Sequence, residues 1–214
     1  NISLETSVNE LLSQTKSLFR LKMEEGFQNN YADKVQLKHL IEHTALNIHY
    51  VNGYPANGSM PTIEKLLANV KVIGVPGEKF NYSGGGFLVL EHLIEAHSGK
   101  NIQELTKNIL NDFSFNPSTL PQIEYAHGYD IKGNEIPGTR FMFPSFAAGA
   151  MGTAKSVLSF LNDLTHAYHD PKCVSGNSNQ NLSKNENFLS HDTAVEMLQC
   201  YDKGSKNFMG CKMG

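Results

Sequence analysis

Pro76-Gly77-Glu78-Lys79-Phe80-Asn81-Tyr82-Ser83-Gly84-Gly85-Gly86-Phe87 runs without a break into the apolar stretch from Leu88 to Ile94. A Pro-Gly turn leads into a short extended piece, then three glycines, then a helix that starts on those glycines. Consecutive glycines permit positive φ and close approach of backbones, so Tyr82 and Ser83 can be held on a tight turn at the lip of a packed helix. A phenol and a hydroxyl fixed beside a helix N-terminus can serve acyl-transfer chemistry. On these residues alone, the plainer reading of a glycine-rich connection between two elements is the stronger.

The helix predicted over residues 86–97 is apolar on several sides (Phe87, Leu88, Val89, Leu90, Leu93, Ile94), which marks it as buried and central. Gly99 ends it as a C-cap glycine. Asn101 caps the following helix, with Glu104 placed to complete a capping box and Ile102, Leu105 and Ile109 facing inward. On the N-terminal side, Pro61 suits the first turn of a helix that buries Ile63, Leu66, Leu67 and Val70. Residues 36–44 form a short helix on Leu37, Leu40 and Ile41. Residues 11–23 show helical spacing in Leu11, Leu12, Thr15, Leu18 and Phe19, and residues 47–60 read as a long polar connection.

Beyond the central helix, residues 123–136 read as two short strands around the turn at Asp130-Ile131-Lys132-Gly133-Asn134. Thr153 caps the clearest amphipathic helix, whose face is Ala154, Val157, Leu158, Leu161, Leu164 and Tyr168. Residues 173–186, rich in Ser, Asn and Gln, read as a surface loop. Ser190 starts a last short helix with Val195 and Leu198. The expected fold is mainly α with a small β-hairpin, in a single domain over residues 1–214.

Composition narrows the function classes. Hydrophobic residues make up 40% and charged residues 18% of 214, near globular values. The net charge of −3, with no Lys/Arg cluster among aromatics, argues against a nucleic-acid partner. No apolar run reaches the roughly 20 residues of a membrane span, and no signal peptide opens the chain. A start at Asn1 without methionine is expected of a processed or excised piece. Cys173, Cys200 and Cys211 have no CxxC spacing, so they form no metal framework and leave the redox compartment open.

Two short patterns carry possible chemistry. His39-Leu40-Ile41-Glu42-His43 matches H-x-x-E-H: on a helix His39 and His43 would share a face and bind one zinc, with Glu42 as base. The pattern is short and its third ligand is unidentified, so locally bonded histidines are the stronger reading. Ser13-Gln14-Thr15-Lys16 matches S-x-x-K, a serine with a lysine one helical turn on. Both residues fall on the polar side of the predicted helix, which reads as a solvated face. Lys212-Met213-Gly214 has a K-x-G outline at the chain end and carries little weight.

Three blocks resemble one family, the serine β-lactamase-like hydrolases related to class C β-lactamases and D-alanyl-D-alanine carboxypeptidases. Leu37-Lys38-His39-Leu40-Ile41-Glu42-His43-Thr44-Ala45-Leu46 resembles that family's I-x-H-L-L-x-H-T-S-G-L signature, with Ala45-Leu46 in place of Ser-Gly. The stretch from Pro76 to Phe87 resembles P-G-x-x-F-x-Y-S-N-x-G-Y. Gly128-Tyr129-Asp130-Ile131-Lys132-Gly133-Asn134, with Phe143-Pro144 and on to Lys155, resembles the G-Y-D-x-x-G … A-A-G-G-L-x-S-T-A-x-D region.

The resemblance implies the helical portion of an α/β β-lactamase/transpeptidase-like fold and serine acyl transfer on a β-lactam, peptide or ester. It makes Tyr82 the catalytic tyrosine, with Ser83 and Gly84 beside the substrate and no metal or cofactor. An unperturbed phenol titrates near 10, so a tyrosinate base needs a cationic lysine nearby. Gly84 stands where the family has asparagine, which removes a substrate-orienting amide. The segment Ile2 to Leu12 resembles one that follows the family's S-x-x-K helix, and Met209 to Gly214 resembles the strand before the K/H-x-G motif. The nucleophile motif and the third motif are therefore expected outside this chain, Ser13-Lys16 is a decoy, and the 39–43 helix has a structural job. The family also implies a periplasmic or secreted location. A binding or scaffold module that kept the fold without the chemistry is the alternative.

Overall fold

The computed structural model describes residues 2–55, 58–107, 110, 113–115, 126–136, 141–173 and 189–198. The apolar run after the glycines becomes α4 in the numbering used below, Gly84–Ser98, and it buries Leu88, Val89, Leu90 and Leu93. Gly99 ends it in the left-handed conformation, φ 70°, where a side chain would be strained. Packed on α4 are α1 (Val8–Ser13), α2 (Leu37–Ile41), α3 (Ile63–Leu67) and α5 (Ile102–Thr106). The inward residues of α1, α2 and α3, with Leu46 and Val72 from the connecting segments, complete one apolar core with α4. Each such side chain contributes about 1.5–3 kcal/mol by leaving water. The Asn101–Glu104 capping box forms as the sequence predicts.

The first helix differs from its expectation. It begins at Val8, capped by Ser7, and stops at Ser13 rather than running over 11–23. The polar run that follows supplies a competing set of bonds. The hydroxyls of Ser13 and Thr15 donate to Glu10 O (2.6 Å) and Leu12 O (2.8 Å), and Thr15 Oγ1 accepts from Ser17 N–H at 3.1 Å. Such local bonds offer the backbone an alternative to the helix. Leu18 is left exposed, and Met23 lies in a parallel bridge with Val72. The helix expected over 36–44 also stops early, at Ile41, because His43 turns to φ 56°.

Among the described residues one two-stranded sheet interrupts the helices, and the strands expected around the 130–134 turn are reduced to an isolated bridge. Within the stretch expected to be connection, β1 (Tyr54–Pro55) pairs antiparallel with β2 (Phe141–Met142), Tyr54 opposite Met142. The turn at 130–134 forms between Tyr129 and Glu135, which bridge across it. Asp130 Oδ1 accepts from the N–H groups of Lys132 and Asn134, each at 2.8 Å. Ile109 and Ile123, also placed by the sequence reading, lie outside the described residues.

A five-residue π-turn, Ser145–Gly149, packs on α4 and precedes α6 (Ala154–His169), which Thr153 caps as expected. The buried side of α6 keeps only Leu164 of the predicted stripe. Ser156, Leu164 and Ala167 are buried, whereas Val157, Leu158, Leu161 and Tyr168 are exposed. Against α6 lies α7 (His191–Leu198), closing a second apolar cluster of Leu164, Ala167, Cys173, Leu189 and Ala194. Cys173 therefore belongs to a packed seam and not to a surface loop; its thiol lies 3.2 Å from Leu189 O. Cys200, Cys211 and Lys212-Met213-Gly214 fall outside the described residues. Among the described residues no helix is long and apolar enough to cross a membrane.

Candidate active site

The three glycines serve close approach rather than unusual backbone. Gly84, Gly85 and Gly86 form the first turn of α4, and none of them has positive φ. A Cβ on Gly86 would lie 2.9 Å from the backbone oxygen of Leu40, and one on Gly85 would lie 3.0 Å from Ile48 Cβ. The helix N-terminus is thereby pressed against the end of α2 and against the segment from Asn47 to Val51. Gly77 is the position that needs left-handed backbone, at φ 89°. At Gly84, where the resemblance expects asparagine, a Cβ would meet Val51 Cγ2 at 3.3 Å. A side chain at this position would need Val51 to give way by a few tenths of an ångström.

Ser83 is the N-cap of α4; its Oγ accepts from Gly86 N–H at 3.3 Å, and the residue is buried. Its hydroxyl thus belongs to the helix cap. Tyr82 precedes it and is half-buried. The Tyr82 ring lies 4.5 Å from the His43 ring at an interplanar angle of 30°, and 5.3 Å from the His49 ring at 70°. Tyr50, exposed at the rim, is 6.1 Å from it.

His43 sits beneath this turn at 6% exposure, with Phe80 and Phe87 also against its ring. Its Nδ1 lies 3.0 Å from Ser83 N, and its carbonyl accepts from Asn81 N–H at 2.7 Å. Burial holds the imidazole pKa below its ordinary value, with the Ser83 backbone bond opposing in part. His49 Nδ1 lies 3.0 Å from Tyr82 O. Neither contact was legible in the sequence, where 40 and 33 residues separate the partners.

The zinc pattern loses its geometric premise. His39 lies in α2, where its Nδ1 accepts from Gln36 N–H at 3.0 Å and its Nε2 faces Gly77. His43 lies beyond the end of that helix in left-handed backbone, so the two rings do not share a helical face. Among the described residues no group of three His, Cys, Asp or Glu is placed to hold a metal ion. Ser13 and Lys16 are both exposed, Ser13 at the last residue of α1 and Lys16 beyond it.

The class of this mainly helical chain, with its buried glycine-led helix, comes from comparison with known proteins. The family model described as Beta-lactamase matches residues 2–204, and the chain belongs to that family. Among solved structures, a penicillin-binding protein from Bacillus halodurans is 17% identical with a TM-score of 0.60, over 96% of this chain and 58% of that one. The octameric penicillin-binding protein homologue from Pyrococcus abyssi is 16% identical with a TM-score of 0.60, over 93% and 43%. A β-lactamase/D-alanine carboxypeptidase from Pseudomonas syringae is 16% identical with a TM-score of 0.52, over 76% and 44%. The chain spans about half the length of the structures it matches. The comparison with curated protein sequences returned no match.

Proposed function

We propose that the glycine end of α4 belongs to a serine acyl-transfer site in which Tyr82 moves the proton and Ser83 and Gly84 shape the wall beside it. The reaction is attack of a serine hydroxyl on a β-lactam, peptide or ester carbonyl, giving an acyl-enzyme that water then hydrolyses. The observation that carries this reading is the placement of Tyr82: its backbone is fixed on the cap of a buried helix and its ring is packed by two imidazoles. The names of the matched structures, penicillin-binding protein and β-lactamase/D-alanine carboxypeptidase, point to the same reaction class.

Ser13 is a poor nucleophile in this setting. Its hydroxyl donates to Glu10 O, and the helix that would bring Lys16 beneath it has ended. The 214 residues by themselves are therefore expected not to acylate. Incubation with a fluorescent penicillin followed by mass spectrometry tests this; a covalent adduct on Ser13 contradicts it.

Glycine at position 84 favours a second reading, a module that binds acyl ligands without turning them over, since the orienting amide of the family pattern is absent there. A ligand that raises the melting temperature with no turnover supports that module. Turnover of nitrocefin or an ester that depends on Tyr82 rules it out.

A further inference from the structure

The peptide unit that joins Tyr82 to Ser83 is approached at both poles by imidazole nitrogens. Its N–H points to His43 Nδ1 at 3.0 Å and its C=O to His49 Nδ1 at 3.0 Å. The hydrogen of a backbone N–H is fixed, so His43 Nδ1 must offer a lone pair and the His43 proton must sit on Nε2. A carbonyl can only accept, so His49 must carry a proton on Nδ1. The same structural unit therefore requires opposite proton placements in its two histidines.

The reverse tautomer of His43 has one partner available, since Nδ1 also lies 3.2 Å from Ser83 O. In that arrangement the Nδ1 hydrogen would face the Ser83 hydrogen and leave a buried backbone donor unsatisfied, which costs more than the new bond returns. The backbone at His43 points the same way. A histidine at φ 56° is an uncommon conformation that persists where its surroundings over-determine it.

Both rings do a second thing: each packs on the Tyr82 phenol while holding the peptide behind it. We propose that His43 and His49 are positioning residues, a two-imidazole clamp with oppositely placed protons that fixes the Tyr82–Ser83 peptide and the Tyr82 ring together. The functional meaning of the clamp rests on the reading of Tyr82 as proton carrier; the proton placements do not.

The test is made on the 214-residue chain with 15N-labelled histidine, by long-range proton–nitrogen correlation at neutral pH. The expected result is an unprotonated Nδ1 and protonated Nε2 in His43, with a protonated Nδ1 in His49. A proton on His43 Nδ1, or a bare Nδ1 in His49, overturns the clamp. Hydrogen exchange supplies the second measurement: His43→Leu speeds exchange at the Ser83 amide roughly tenfold, the effect of one lost hydrogen bond. His43→Asn, which offers an acceptor oxygen and tolerates left-handed backbone, restores protection. His49→Ala, on an exposed residue, shifts the Tyr82 ring resonances even if the His43 variants fail to fold. Unmoved Tyr82 resonances in His49→Ala count against the clamp. In the longest polypeptide encoded by the gene, acyl transfer that survives Tyr82→Phe would sink the proton-carrier reading and leave the proton placements standing, so the two failures are distinguishable.

Discussion

α4 and α6 are nearly equal in length, fifteen and sixteen residues, yet they occupy opposite positions in the molecule. α4 has apolar residues on several sides and little periodic contrast, and it is the helix on which most of the others pack. α6 shows a clear stripe in sequence, but Val157, Leu158 and Leu161 of that stripe face outward. The difference lies in what each helix meets. The glycines of α4 let backbone atoms of α2 and of the segment before β1 come into contact, so the helix is enclosed. Among the described residues α6 meets chiefly α7, along the line of Leu164 and Ala167. Periodicity reports that an apolar face exists, and only the tertiary contacts decide whether it is covered.

Substitutions along the two helices break or sharpen that contrast. The largest effect is expected for Leu88→Ala, about 3 kcal/mol of stability by urea denaturation, because the site is enclosed on all sides. Next comes Gly86→Ala. Alanine favours a helix over glycine by about 1 kcal/mol, but here its Cβ would overlap Leu40 O, and a net loss of about 2 kcal/mol is expected. A gain in stability would mean that the α2–α4 contact is looser than described. Gly99→Ala forces a side chain into left-handed backbone and is expected to lower stability by about 1 kcal/mol. Leu158→Gln, on the uncovered stripe of α6, is expected to stay within about 0.5 kcal/mol. A loss of several kcal/mol there would show the stripe to be covered in solution.

A smaller effect, at two buried groups in and beside α4, is read by pH. Burial depresses the His43 pKa below its ordinary 6.5, so the unfolded chain takes up a proton that the folded one resists. The contribution of His43 is complete above pH 6.5 and is lost as pH falls through the folded-state value. Glu91, buried in α4 where it accepts from Phe146 N–H at 2.9 Å, is raised by burial and acts with the opposite sign, adding stability as pH falls through its raised value towards 4.5. Just below pH 6.5 the melting temperature of His43→Asn should therefore fall less steeply than that of the wild type. Equal slopes would mean that the imidazole is not held neutral by its site.

Much of this fold was legible in the sequence, and for identifiable reasons. The α4 run, Gly99, the Asn101–Glu104 box and the Thr153 cap are local signals, and local physics decides them. The three family-like blocks placed the fold and brought Tyr82 forward, which length and composition could not. The end of α1 was misread because apolar spacing outweighed the hydroxyls of Ser13, Thr15 and Ser17, which take over the backbone bonds. β1 and β2 are two residues each, too short to show alternation. The glycines at 84–86 were half understood: close approach is their use, and positive φ is not. The imidazole contacts around Tyr82 left no trace, since they depend on the backbone at His43 and on partners distant along the chain.

The assignment of Tyr82 as the proton carrier is most directly tested by acylation kinetics. The longest polypeptide encoded by the gene would be compared with its Tyr82→Phe variant in single-turnover reaction with a penicillin and with an activated ester. The expected result is a rate lowered about 100-fold or more, the ordinary loss of a general acid–base group, with the melting temperature unchanged. Equal acylation rates in the two proteins would contradict it.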